Sequence, residues 1–134
     1  MTTPSSEQFD AFEVLDARWG YRHGRDTCTE NPYTISFSPE RDEMYISFRK
    51  PTKRYDGTWV SKLTYEVVGQ NPEGLLIVRL HGETRVIHGD PVVFRIRIFD
   101  GNRFYWEETD LETAYRREGG YYHVSEDPLI RCRF

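Results

Sequence analysis

The sequence of 134 residues is poor in cysteine and contains no long apolar run. Its two cysteines, Cys28 and Cys132, form no CxxC pair, and no histidine accompanies them at the spacing of a structural zinc site. No apolar run approaches the roughly 18 residues of a membrane-spanning helix. The N-terminal residues lack the basic and apolar regions of a signal peptide. We therefore expect a cytoplasmic protein with no membrane span, no metal and no cofactor.

The same absences predict the state of the cysteines. In the cytoplasm, Cys28 and Cys132 are expected to be reduced thiols. A disulfide between them, which would close a very long loop, is the alternative that the sequence leaves open.

Positive charge is not concentrated enough for a nucleic-acid partner. The 18 basic residues are interspersed with 22 acidic ones, and the net charge is -4. A nucleic-acid-binding protein needs clustered positive charge to displace counterions from phosphates. The single local exception is the basic stretch at residues 49–54. It is interpreted either as a solvated hairpin loop or as a patch for an anionic partner.

Aromatic residues and period-two alternation, by contrast, are abundant. Aromatics make up 15% of the chain, and Tyr33, Ile35 and Phe37 alternate with polar residues. Turn residues separate such runs, a pattern typical of antiparallel strands. The predicted fold is all-β: one domain over residues 1–134, an antiparallel up-and-down meander of about eight to nine strands closed into a small barrel. The capping pattern that begins at Ser5 predicts a short helix near residues 5–15. The remaining predicted strands are Met44–Phe48, Trp59–Val67, Leu75–His81, Val92–Phe99, Phe104–Glu108, Tyr121–Val124 and Ile130–Phe134.

The hairpin around Asp100 and Gly101 allows a prediction of register. A three-residue loop at Phe99–Gly101 places apolar residues opposite apolar residues, whereas a two-residue turn would mix arginines with aromatics. Residues Arg95, Arg97 and Glu107 should then be exposed. The expected pairs are Ile98 with Asn102, Ile96 with Phe104, Phe94 with Trp106, Arg95 with Tyr105 and Val93 with Glu107. The residues expected to be buried are Val92, Phe94, Ile96, Ile98, Phe104 and Trp106.

A tryptophan lies early in the chain, in Leu15-Asp16-Ala17-Arg18-Trp19, which is expected to form the first strand. With the meander, this resembles the lipocalin-like, or calycin, β-barrels. That family usually has glycine where this chain has Ala17. It also lays a basic side chain from the C-terminal end across the tryptophan, and Arg131 and Arg133 occupy a suitable part of this chain. The resemblance implies an interior cavity for one small apolar or amphipathic molecule.

Inward-facing residues on successive strands are the candidates for such a ligand site. These residues occupy alternate positions and point to the same face of their strands, a property called inward parity below. A closed barrel would therefore bring them together in one interior. The same rings could instead fill a solid core. The barrel would then bind a protein partner on its outer face. The predicted ligand-binding residues are Tyr33, Ile35, Phe37, Met44, Ile46, Phe48, Leu63, Tyr65, Phe94, Ile96, Phe104 and Trp106.

An enzyme on the same scaffold is the alternative function. An inward Glu108 among aromatics would have a raised pKa and could shuttle a proton in an isomerase or cyclase, with Tyr121 or His123 as its partner. Glu108 could equally lie at the rim in water. His81 and His88 flank an expected turn and could approach each other as a metal pair or remain exposed. The sequence contains no nucleophile elbow, phosphate loop or dinucleotide fingerprint.

Overall fold

The computed structural model describes residues 10–53, 57–71, 74–87, 89–107 and 127–133. These residues form one short helix and ten strands, where about eight to nine strands were predicted. The elements are α1 (Ala11–Leu15), β1 (Arg18–Gly20), β2 (Tyr33–Phe37), β3 (Glu43–Lys53), β4 (Trp59–Asn71), β5 (Leu75–Leu80), β6 (Val86–Ile87), β7 (Asp90–Pro91), β8 (Phe94–Asp100), β9 (Arg103–Glu107) and β10 (Leu129–Arg131).

Eight of the strands close into an antiparallel barrel in the order β1-β10-β9-β8-β5-β4-β3-β2. Within the described residues, strands β6 and β7 pair only with each other, in the connection between β5 and β8. Nearly all neighbours in the barrel are therefore consecutive in the chain, which confirms the meander. The predicted strand at Tyr121–Val124 lies outside the described residues.

The barrel interior is formed by alternate residues of each strand. Strand β8 alternates between buried and half-buried positions over Phe94–Ile98, and Ile35, Ile96 and Phe104 have no exposed surface. All six residues predicted to be buried around the β8–β9 hairpin are buried. Period-two patterning thus identified the inner face correctly.

The register predicted for the β8–β9 hairpin is wrong by two residues. Ile98 pairs with Phe104 and Ile96 with Trp106. A bulge between Ile98 and Asp100 then shifts the register by one residue before the turn. Asp100 pairs with Arg103 across a two-residue turn, in which the Asp100 carboxylate accepts a hydrogen bond from the Asn102 amide at 2.8 Å. The faces remain as predicted because a shift of two residues preserves parity.

The charged residues on the outer face of this hairpin are half-buried, where exposure was expected. The cause is a cross-strand ion pair, in which Arg97 Nε lies 2.9 Å from Glu107 Oε2. Arg95 pairs with Glu107 across the ladder, where tyrosine had been the predicted partner. The Arg97 guanidinium thus reaches a carboxylate, whereas Arg95 Nε is buried without a hydrogen-bond partner among the described residues.

Helix α1 covers one end of the barrel. Its N-cap is Asp10, whose carboxylate accepts hydrogen bonds from the amides of Phe12 (3.1 Å) and Glu13 (3.4 Å). The predicted cap at Ser5 lies outside the described residues. Leu15 ends the helix, whereas it was expected to begin the first strand. The Phe12 ring packs edge-on against Phe37, with centroids 4.9 Å apart.

Trp19 joins the two ends of the described chain. It is fully buried, and its Nε1 donates a hydrogen bond to the Leu15 carbonyl at 2.9 Å. The Arg131 guanidinium lies 5.2 Å from the Trp19 ring centroid and donates to the Val14 carbonyl at 2.7 Å. The predicted basic residue over Trp19 is therefore Arg131, while Arg133 is exposed.

Cys28 and Cys132 form a disulfide, so the expectation of reduced thiols is wrong. The pairing of β1 with β10 brings the two segments together, since the Cys132 amide donates to the Arg18 carbonyl at 2.8 Å. The loop after β1 folds back so closely that a Cβ atom on Gly20 would lie 2.5 Å from the Cys28 nitrogen. Glycine at this position therefore permits the approach.

Candidate functional site

The barrel contains a cavity of about 320 Å³ that is partly open to solvent. It lies where β2 begins and β3 approaches its end, away from helix α1. Seven of the twelve predicted ligand-binding residues line it. They are Tyr33, Ile46, Phe48, Leu63, Tyr65, Phe94 and Trp106.

The other five predicted residues do not border this cavity. Ile35, Met44, Ile96 and Phe104 are fully buried, and Phe37 packs against the same cluster. They belong to the same hydrophobic cluster as Trp19, whose ring contacts Phe104 edge-on at 4.8 Å. The residues that point inward therefore form one interior with two parts. One is a packed end beneath α1, and the other is a hollow end that contains the cavity.

Aromatic rings form nearly half of the cavity lining. Phe94 lies 6.0 Å from Tyr65 and 5.9 Å from Trp106, both edge-on, and Tyr65 and Trp106 are 6.2 Å apart. Phe48 packs edge-on against Tyr33 at 5.3 Å. Rings in mutual contact hold one another's rotamers, so the cavity has a preformed wall suited to an apolar ligand.

Tyr33 places a hydroxyl group inside this wall. The Tyr33 oxygen accepts a hydrogen bond from Trp106 Nε1 at 3.1 Å. Burial raises the pKa of the Tyr33 phenol well above its usual value of 10.0, and the nearby Tyr21 raises it further. The phenol is therefore neutral across the physiological range, and it can offer a hydrogen bond but not a negative charge.

A buried ion pair borders the cavity on the side of the β6–β7 hairpin. Arg85 Nε lies 2.7 Å from Glu83 Oε1, and both side chains are almost fully buried, at 7% and 1% exposed. The same guanidinium lies 5.5 Å from the Phe94 ring centroid. Because Glu83 compensates its charge, Arg85 contributes a rigid polar edge and little free positive potential.

Six lining residues were not predicted from the sequence. Arg85, Tyr21 and Asp26 lie in connections, where strand parity gives no signal, and Thr52 and Lys53 follow a bulge that shifts the register of β3. Leu80, at the end of β5, has the inward parity of its strand and could have been included. The missed residues are Tyr21, Asp26, Thr52, Lys53, Leu80 and Arg85.

The predicted catalytic residues Glu108, Tyr121 and His123 lie outside the described residues, as does His88. His81 is half-exposed, with its Nε2 at 3.5 Å from Glu43 Oε2. Within the described ranges, no group of three or more histidine, cysteine, aspartate or glutamate residues could hold a metal ion. Across those same ranges, no helix has the length and apolar character needed to cross a membrane.

Comparison with known proteins gives no assignment. No protein-family model matches the chain, and searches of curated proteins and of solved structures found no match either. The barrel and its cavity are therefore interpreted from their own geometry.

Proposed function

We propose that this protein binds a small apolar or amphipathic molecule in the interior of a calycin-like barrel. The observation that carries the proposal is the cavity of about 320 Å³ with aromatic and aliphatic walls. Ligand cavities commonly measure about 300–1,000 Å³ and are mostly apolar with a few polar groups. The volume therefore suits a compact ligand, and the Tyr33 hydroxyl supplies a polar group in the wall.

Two features support the calycin-like part of the proposal. The eight-stranded antiparallel meander has the size at which a barrel can hold one small ligand. Trp19 lies near the start of the chain beneath the guanidinium of Arg131, the arrangement that the resemblance implies.

The disulfide bears on where such a protein would act. Cytoplasmic proteins usually keep their cysteines reduced, whereas disulfides persist in oxidising compartments. The Cys28–Cys132 bond therefore favours an oxidising compartment over the cytoplasm that the sequence led us to expect. A thiol-alkylation assay on protein taken directly from the cell tests this point, because two alkylated cysteines would contradict it.

Titration with a neutral fluorescent probe, N-phenyl-1-naphthylamine, tests the binding function. Trp106 lies in the cavity wall, so a bound probe should quench tryptophan emission with one-to-one saturation. Filling the cavity with Leu63→Phe should weaken binding. The matched control is Val68→Phe on the same strand, whose side chain is 45% exposed outside the cavity. Absence of saturable binding, or equal binding by both variants, would overturn the proposal.

A further inference from the structure

A second depression, a groove of about 570 Å³, adjoins the cavity. It runs between the loop after β1 and the end of β3, and it shares Asp26, Thr52 and Lys53 with the cavity lining. These three shared residues lie between the two depressions. The cavity, inside the barrel, is called the inner part, and the groove, lined by loop residues and the end of β3, is called the outer part.

The outer part is created by an irregularity in β3. Ser47 pairs with Lys62 and Thr52 with Val60, so β3 contains three more residues than β4 between these pairs. The bulge is held against the preceding loop, since the Lys50 amide donates to Asn31 Oδ1 at 2.7 Å. Bulges commonly re-aim side chains beside binding sites. Most of the basic stretch therefore lies on a bulged strand and not in a hairpin loop.

The groove carries cations that the described part of the chain leaves without an ion-pair partner. These are Arg25, Lys50 and Lys53, all of them exposed. Two carboxylates also border it, and one of them, Asp26, already accepts a hydrogen bond from Asn31 Nδ2 at 3.3 Å. The remaining balance is one positive charge, in contrast to the compensated Arg85 inside the cavity.

Trp59 adds an apolar shelf to the same groove. Its side chain is 62% exposed, the most exposed large hydrophobic side chain in the described ranges, and it borders the groove beside the lysines. An aromatic face next to free ammonium groups suits a molecule in which an apolar segment meets a charged group.

We infer that the groove binds the negatively charged headgroup of an amphiphile whose apolar part fills the barrel cavity. This inference rests on the proposed function, because it extends the same site outward. Lys53 borders both depressions, so one cation stands where the apolar part of the ligand would end. The headgroup chemistry is that of a carboxylate, sulfate or phosphate, all of which accept charge-assisted hydrogen bonds from lysine and arginine.

A series of octyl compounds tests the inference with one constant apolar part. Calorimetric titration at neutral pH would compare octyl sulfate, octyl phosphate and octanoate with octanol and octyltrimethylammonium. We expect the anions to bind about tenfold more tightly than octanol, since each exposed ion pair contributes little and the groove offers two or three. High salt should remove this preference and leave octanol binding unchanged, because ions screen exposed charges.

Charge variants locate the headgroup. The double variant Lys50→Gln and Lys53→Gln should bring octyl sulfate affinity down to that of octanol. The matched control is Lys62→Gln, which removes a lysine that packs on the Tyr45 ring and borders neither depression. Asp26→Asn should tighten octyl sulfate binding severalfold, because it removes the carboxylate at the junction while retaining a side chain of the same shape.

The outcomes separate this inference from the proposed function. If no octyl compound binds, the proposed function fails and the inference fails with it. If octanol binds but the anions bind no better, or the cationic compound binds best, only the inference is overturned. An anion preference that survives the double lysine substitution would overturn the assignment to the groove. Inorganic sulfate or phosphate that stabilises the protein as much as its octyl ester would show that headgroup and cavity are not one site.

Discussion

The two ends of the barrel are built from the same kinds of residue in the same pattern, yet one is packed and the other is hollow. At the packed end, α1 supplies Phe12 and Leu15, and the Trp19 ring contacts Phe104. At the cavity end, rings such as Tyr33 and Phe48 contact one another around a space. What differs is the chain that covers each end, which is a helix in one case and connections between strands in the other.

The position of a residue in the alternating pattern therefore selects the face it lies on but not the environment around it. Apolar side chains interdigitate to high density where an element such as α1 fills the gap between them. They line a cavity where the covering segments place polar groups, Asp26 and Arg85 among them, at the edge. Four substitutions or treatments test how far the two ends differ.

Removal of one phenylalanine ring from each end should give the largest contrast. Phe104→Ala deletes a fully buried ring that contacts Trp19 and Trp106, and it should lower the free energy of unfolding by about 3–5 kcal/mol. Phe48→Ala removes a half-buried ring that already faces empty space, so the cost should be clearly smaller. Urea unfolding of both variants gives the measurement. Equal losses would show that the cavity end is as tightly packed as the other.

Reduction of the Cys28–Cys132 disulfide should destabilise the protein by about 2–5 kcal/mol, because the bond spans 104 residues and restricts the unfolded chain. The bond also holds the loop that supplies Tyr21 and Asp26 to the cavity. The affinity for the probe should therefore fall clearly, whereas the packing around Trp19 should change little. The double variant Cys28→Ser and Cys132→Ser, followed by tryptophan emission and probe titration, separates the two effects. Unchanged binding would show that the hydrogen bonds of the loop suffice.

Tyr33→Phe should remove the hydrogen bond from Trp106 Nε1 to the Tyr33 oxygen and cost about 1–3 kcal/mol, because both groups are buried. It should also change the pH dependence of stability. Burial raises the pKa of Tyr33 above 10.0, so the native state resists deprotonation and the wild type loses stability as pH rises beyond that value.

The variant should lose less stability than the wild type over the same alkaline range. Tyr45, whose pKa is raised by its hydrogen bond to Glu43, is present in both proteins, so the difference isolates Tyr33. Denaturant titrations at a series of alkaline pH values provide the test. Parallel pH profiles would contradict the burial of the Tyr33 phenol.

The smallest effect is expected at Arg131. Arg131→Lys should cost about 0.5–2 kcal/mol, because lysine cannot both cover the Trp19 ring and reach the carbonyls of Val14 and Gly101. The control is Arg133→Lys, at an exposed position, which should stay within about 0.5 kcal/mol of the wild type. Thermal unfolding is sufficient to compare them. A larger effect at position 133 would remove the basis for the tryptophan–arginine contact.

The barrel could be predicted from the sequence because successive side chains of a strand point to opposite faces. A local alternation of apolar and polar residues therefore indicates a strand with one buried face. It predicted the buried face of β8 and β9 but misplaced their partners, since parity cannot distinguish registers that differ by two residues. The cavity wall was predicted in part because wall and core share one parity. Its edge was not, because Asp26 and Arg85 reach the cavity through folded connections that leave no period in the sequence.

The state of the cysteines was predicted wrongly for a different reason, with the disulfide kept only as the alternative. The prediction of free thiols came from an inferred compartment and not from the residues around the cysteines. The pairing of β1 with β10, which brings the cysteines together, joins distant parts of the chain, and no local pattern announces it.

The disulfide also makes most of the chain a covalent ring. Residues 28 to 132 enclose nearly all the strands of the barrel, and the ring closes beside the short ladder of β1 and β10. One cut by a protease anywhere between the cysteines would leave two fragments tethered, so the nicked protein would migrate as one species until it is reduced. The protein would therefore tolerate cleavage in its exposed connections, because the disulfide would keep the two ends at the cut close enough to pair again.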